Sequence, residues 1–273
     1  MNRYNRVLPS GFRIAVTTAG QPHWPALVLL HGLTVSAKAY EELIEELAGY
    51  HYYVIAPDAP NHGDSGSLPW GHTIGDIADI LADTLDGLDT EHAVVVGHSM
   101  GGGLAVEFAA RYPERVDAVV LLDAAAGKEH HEGITIAPGR TMPRRAVRFA
   151  VGGLIDVLGD GCAALRQRTH TERLSLLSML KDSVHGFRFV RTAHALMRAD
   201  TLPLLEKIRA NGTPVGVIHG EHDQIIPFAA GVSAAAATNA TLYKIMGGFH
   251  SWMLADPEFG AWAIKDILRK VTA

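Results

Sequence analysis

A single cysteine, Cys162, in a chain of 273 residues can form no internal disulfide, which excludes a disulfide-stapled fold and leaves no use for an oxidising compartment. The first twenty residues lack the apolar core of a secretory leader, and no stretch approaches the roughly 18 apolar residues that a spanning helix needs. A soluble, cytoplasmic protein with no membrane partner is expected. Positive charge is also scarce, since the formal net charge is −5 at pH 7, and this argues against nucleic acid as a partner. There is no G-x-x-x-x-G-K-[ST] loop, no G-x-G-x-x-G after the first strand and no Cys-x-x-Cys pair, so neither a nucleotide site nor a metal site is expected. His130, His131 and Glu132 are adjacent rather than four apart, so they share no helical face. No cofactor is expected.

What the chain does have is alternation. Short β-branched runs (FRIAVTT, ALVLLHG, YYVIAPD, HAVVVGH, VDAVVLLD, PVGVIHG and ATLYKIM) are separated by stretches of helical period, which implies right-handed crossovers and a mostly parallel, doubly wound α/β sheet. In SAKAYEELIEELAGY the residues Tyr40, Leu43, Ile44 and Leu47 fall on one helical face, with Ser36 as N-cap and Gly49 at the stop. Thr73 followed by Asp76 reads as a capping box, and Pro257 opens a last helix whose Trp262 and Ile267 should pack on the sheet. Between Asp123 and Pro214 no strand-like run occurs, an interval too long for a loop in a compact core. Residues 127–200 are therefore expected to form a helical cap inserted between core segments 1–126 and 201–273, with a core helix near Leu202 to Ala210. Cationic side chains outnumber acidic ones in the cap, which marks either a solvated surface or a preference for an anionic substrate.

The stretch VVVGHSMGGG places Ser99 between an apolar strand, Ala93 to Val96, and a helix carrying Leu104, Phe108 and Tyr112 at helical spacing. A strand that turns straight into a helix leaves room only for small residues two positions either side of the turn, and Gly97 and Gly101 supply them. This G-x-S-x-G elbow is the nucleophile site of α/β-hydrolases, in which serine, acid and histidine follow in that order. The amide of Met100, at the helix N-terminus, is then one oxyanion donor. His250 in GGFHSW lies after the last strand and is the base. The acid is Asp223 in HGEHDQIIP, in preference to Asp123 in VVLLDAAA, which reads as a hinge into the cap. His31 and His219 are expected to be satisfied by backbone, His98 to buttress the site and His62 to serve a turn. The amide of Leu33, after His31-Gly32, is the second oxyanion donor.

Taken together, HGL, APNHGDSG, GHSMGGGLAVEFAARYPERVDAVVLLD, HGEHDQIIP and GGFHSW resemble the serine hydrolases of the α/β-hydrolase superfamily that carry a helical cap, over about residues 10–123 and 200–273. The resemblance implies an eight-stranded sheet and a carboxylesterase-like reaction on a small to medium ester or lactone, with Ser99, Asp223 and His250 as the triad. Serine at position 99 departs from the haloalkane dehalogenase and epoxide hydrolase branches, whose nucleophile is a carboxylate. HGLTV lacks the extra glycine of the proline iminopeptidases and carbon–carbon bond hydrolases, which counts against both branches; they stand as the alternatives within the same fold. A ligand-binding receptor built on the same pocket is the alternative from another class.

Overall fold

The computed structural model describes residues 1–134 and 187–273. An eight-stranded sheet runs in the order β1-β2-β4-β3-β5-β6-β7-β8. Its strands are β1 (Asn2–Val7), β2 (Arg13–Ala19), β3 (Ala26–Leu30), β4 (Tyr53–Pro57), β5 (Ala93–His98), β6 (Val116–Leu122), β7 (Val215–Gly220) and β8 (Thr241–Ile245). The pairs β1–β2 and β2–β4 are antiparallel, and every other pair is parallel. The seven runs read from the sequence fall on β2 to β8. β1, NRYNRV, was not among them because it is a polar, largely exposed edge strand that buries no face and so carries no period.

Alternate residues of the central strands feed two apolar layers, as a doubly wound sheet requires. Leu27, Leu29, Val94, Val96, Val120 and Leu122 meet α1 (Glu41–Gly49) and the last helix, α9 (Pro257–Val271), on one side. Val28, Leu30, Val95, Val119 and Leu121 meet α2 (Ile74–Asp86), α3 (Met100–Arg111) and α6 (Leu202–Ala210) on the other. Each of these side chains is essentially removed from water, so truncating one to alanine in this layer costs about 2–5 kcal/mol where a leucine is lost.

Local sequence accounts for most helix boundaries. Thr73 accepts from the Asp76 amide while Asp76 reaches back to the Thr73 amide, the expected capping box, and Pro257 occupies the first turn of α9. Two expectations are corrected. Ser36 precedes a short 3-10 turn, Ala37–Tyr40, rather than the α-helix, and its side chain makes no capping bond. Trp262 is 48% exposed and stacks on Phe259, while Ile264, Ile267 and Leu268 make the buried face of α9.

Most of the interval expected to be a cap, 135–186, lies outside the described residues. Its ends are helical: α4 (Lys128–Ile134) and α5 (Phe189–Arg198). α5 is latched to the loop after β4. Arg188 donates to the carbonyls of Gly63 and Ser65, Arg191 to that of Leu68, and Thr192 receives the amide of Asn61 at 3.1 Å. Because β3 to β8 run parallel, the segments following them (31–33, 58–65, 99, 123, 221–223 and 246–250) gather along one edge, where α/β sheets place their sites.

Candidate active site

Ser99 stands between β5 and α3 with φ 54° and ψ −120°, a left-handed conformation that costs a non-glycine residue energy and persists where the surroundings enforce it. Here they do. The Ser99 amide donates to Leu122 on β6, and the Ser99 carbonyl accepts from Gly102 and Ala125. A Cβ on Gly97 would strike the Gly101 carbonyl, and one on Gly101 would strike the carbonyl of Leu30, so the turn closes only with glycine at both places. The backbone is thus bent until the Ser99 side chain stands at the sheet edge.

His250 and Asp223 meet across the ends of β7 and β8. His250 Nδ1 lies 2.8 Å from Asp223 Oδ2, and Asp223 Oδ1 accepts from the amides of Ile225 and Ile226, both at 2.8 Å. Burial alone would raise this carboxyl. The charges and hydrogen bonds of His250 and His219 outweigh it, and Asp223 is held well below the usual carboxylate range. An ionised carboxylate only accepts, so the proton on His250 resides at Nδ1 and Nε2 is left as the basic nitrogen.

Asp123 also lies here, at φ 41°, rather than acting as a free hinge. Its Oδ1 accepts from the Gly220 amide at 2.7 Å and its Oδ2 from the Trp252 indole at 2.7 Å, so it ties the end of β6 to β7 and to the segment following His250. Burial pushes its carboxyl up to about 7. His219 stands between the two acids, 3.3 Å from Asp223 and 3.9 Å from Asp123, with Nε2 also 2.9 Å from the Ile226 carbonyl. Asp123, His219 and Asp223 bring potential ligand atoms within 4.8 Å of one another. All four carboxylate oxygens are already taken by protein donors, so the trio does not fit a metal ion.

Three further histidines at this edge hold backbone. His31 Nδ1 lies 2.7 Å from the Gly32 carbonyl and its Nε2 accepts from the Ala59 amide. His62 Nε2 lies 2.6 Å from the Leu33 carbonyl, and His98 spans Tyr40 and the His250 carbonyl. Burial pushes His62 and His98 down to about 3 and lowers His31 as well; His31 and His98, each with one ring nitrogen donating and the other accepting, are neutral rings at neutral pH. The roles of Tyr40 and Trp252 were missed in the sequence, where nothing but the spacing of apolar neighbours marks them, and Asp123 was weighed there only as the acid or as a hinge. Leu33 and Met100 present amides that, among the described residues, meet no acceptor; Met100 is the first residue of α3, where the amide has no intrahelical partner. A Cβ on Gly32 would lie 3.5 Å from that of Ser99, which places this turn beside the elbow. His130 on α4, half-buried, feels His250 and Asp223 electrostatically, and burial lowers it to about 4.

This fold, with a serine at a strained elbow and a histidine–aspartate pair beside it, defines a hydrolase of α/β architecture. A model of the alpha/beta hydrolase fold matches residues 25–257, and the chain belongs to that family. It is 54% identical over 255 residues to a protein of Mycobacterium phage D29 named as a putative non-heme haloperoxidase, covering 93% of this chain and 91% of that one. A 2-hydroxy-6-oxononadienedioate/2-hydroxy-6-oxononatrienedioate hydrolase of Paraburkholderia phymatum is 28% identical, over 92% of this chain and 89% of its own. Among solved structures, the enol-lactonase of Burkholderia xenovorans superposes with a TM-score of 0.76 at 23% identity, covering 97% of this chain and 100% of the other. An esterase from Rhodococcus gives 0.76 at 23% identity, over 99% and 100%. At that identity the two structures speak for the fold alone.

Proposed function

We propose that the chain is a serine hydrolase that cleaves a small to medium carboxylic ester or lactone through an acyl-enzyme on Ser99. The observation that carries this reading is the bonding of Asp223: with Oδ1 fixed by two amides, its Oδ2 holds His250 in the tautomer whose Nε2 is unprotonated, as a base requires. In the reaction, Nε2 takes the Ser99 proton as the hydroxyl adds to the ester carbonyl. The oxyanion is received by the Leu33 and Met100 amides, and the imidazolium returns the proton to the departing alcohol. Water, deprotonated by the same nitrogen, then releases the acid. These steps call on no cofactor. The single cysteine, and the lack among the described residues of any helix long and apolar enough to cross a membrane, fit a cytoplasmic enzyme.

Residues 127–200 are the segment assigned to cover the site, and a covered site accepts a chain of limited length. Each methylene buried adds about 0.8 kcal/mol of binding until the volume is full. Measured on p-nitrophenyl esters from acetate to palmitate, kcat/KM should rise and then fall, with no activation by an emulsion. A palmitate optimum that an emulsion activates would make the protein a lipase instead. The haloperoxidase name of the phage relative makes oxidative halogenation the competing reading. Bromination of a phenol dye with hydrogen peroxide that survives Ser99→Ala, in a protein with no ester turnover, would replace the hydrolase assignment.

A further inference from the structure

The turn that carries the second oxyanion donor is held by three side chains, His31 beside it and Tyr40 and His62 from further along the chain. Gly32 and Leu33 offer four backbone polar groups. The Gly32 amide donates to the Tyr40 hydroxyl at 3.0 Å, the Gly32 carbonyl faces His31 Nδ1, and the Leu33 carbonyl faces His62 Nε2. Only the Leu33 amide is left over among the described residues, and it is the group assigned to the oxyanion.

One of these supports continues to the base. Tyr40, 1% exposed, lies with its hydroxyl 2.6 Å from His98 Nδ1, and His98 Nε2 lies 2.9 Å from the carbonyl of His250. The proton positions follow from chemistry. A carbonyl only accepts, so His98 carries its proton at Nε2 and its Nδ1 accepts from the Tyr40 O–H; the Tyr40 oxygen in turn accepts from Gly32 N–H. Every link has one direction: Gly32 N–H to Tyr40, Tyr40 O–H to His98, His98 N–H to the His250 carbonyl. A ring held neutral, as burial holds His98, keeps that order across the working pH range. The chain joins residue 32 to residue 250 through the residue that directly precedes the elbow serine.

We propose that Tyr40 and His98 are positioning residues for the reaction: together they form a proton-ordered bridge that sets the distance between the oxyanion turn at Gly32-Leu33 and the base His250. The proposal rests on the serine-hydrolase reading. A bridge of this kind acts on the transition state, because the oxyanion and the imidazolium exist only there, whereas the substrate carbonyl in the ground state makes weaker use of both. A displacement of about 1 Å in such a site costs up to about 100-fold.

The test compares wild type with Tyr40→Phe, His98→Gln and His98→Asn. Tyr40→Phe keeps the ring and removes both links at the hydroxyl. The glutamine amide reaches the place of Nε2 and keeps the donor to His250, while the asparagine oxygen takes the place of Nδ1 and keeps the acceptor for Tyr40. Three quantities are read: kcat and KM on a p-nitrophenyl ester, the rate of fluorophosphonate labelling of Ser99, and the Kd of an aryl trifluoromethyl ketone, which forms an oxyanion on the serine. The expected result is a fall of about 10- to 100-fold in kcat for each variant with KM within about threefold, and a ketone Kd that rises by the same factor as kcat/KM falls. A role confined to folding would lower the amount of active protein and leave the ketone Kd where it was. Wild-type kcat and ketone affinity in Tyr40→Phe and in either His98 variant would overturn the bridge while leaving the hydrolase reading intact. A wild-type protein that neither turns over esters nor is labelled at Ser99 would overturn the hydrolase reading, and the bridge with it.

Discussion

Replacing Asp223 by asparagine is expected to abolish most turnover through a change of tautomer, and the structure says which way the amide must lie. Asp223 Oδ1 accepts from two backbone amides, Ile225 and Ile226, each at 2.8 Å, so the asparagine oxygen is forced to stay there. The NH2 then faces His250 Nδ1, formerly 2.8 Å from Oδ2. Two donors cannot share that contact, so the ring moves its proton to Nε2, the nitrogen needed as base. A loss on the order of 10⁴ in kcat follows, as in other serine triads whose aspartate is so changed. Asp123→Asn makes the contrast. Its two oxygens face the Gly220 amide and the Trp252 indole, and neither contact is with the His250 ring. There the new NH2 opposes a buried donor, which costs about 1–3 kcal/mol of stability and much less activity. Steady-state kinetics on a p-nitrophenyl ester, with urea melts of both variants, check the ranking. If Asp123→Asn proves the more damaging to kcat, the assignment of the acid is wrong.

Ser99→Ala and His250→Ala should each reduce turnover by several orders of magnitude with thermal melting little changed, and fluorophosphonate labelling should vanish from Ser99→Ala; labelling at the wild-type rate would move the nucleophile elsewhere. Gly101→Ala drives a Cβ into the Leu30 carbonyl and should cost about 1–3 kcal/mol together with activity, since the elbow must open to admit it; a fully active, equally stable variant would contradict the packing described. His98→Gln should also flatten the pH dependence of stability. His98 is held at about 3 in the fold against an ordinary 6.5, so its contribution is intact above pH 6.5 and is lost as pH falls from there toward 3. Between pH 7.5 and 5.0 the wild type should therefore lose about 2 kcal/mol more than the variant in matched urea melts. Parallel curves would mean that the ring titrates normally in the fold.

Ser99, Asp223 and His250 were legible in the sequence because each depends on a junction a few residues long. A strand, a turn of glycines and a helix place the serine by steric necessity, and parallel strands carry the acid and the base to the same edge in chain order. The capping box of α2 and the buried stripes of its helix were readable for the same reason: they are interactions over three or four residues. β1 was not, since an exposed edge strand has no face to bury and so no period to betray it. Trp262 misled because a large apolar residue at a helical spacing is ordinarily inside, whereas here it stacks on Phe259 at the surface. Only the tertiary structure decided the contacts that hold the site in place. Tyr40 and His98 are 58 residues apart, His98 and the His250 carbonyl 152, and Asp123 and Trp252 129, and nothing in a local pattern links such pairs. A buried polar group must find a partner, but which partner it finds is fixed by how the strand ends converge. The sequence therefore determined which groups the candidate site would gather at this edge. The folding of eight strands into one twisted sheet decided which histidines would stay neutral and brace them, and it made Asp123 a tie between loops rather than the hinge its position suggested.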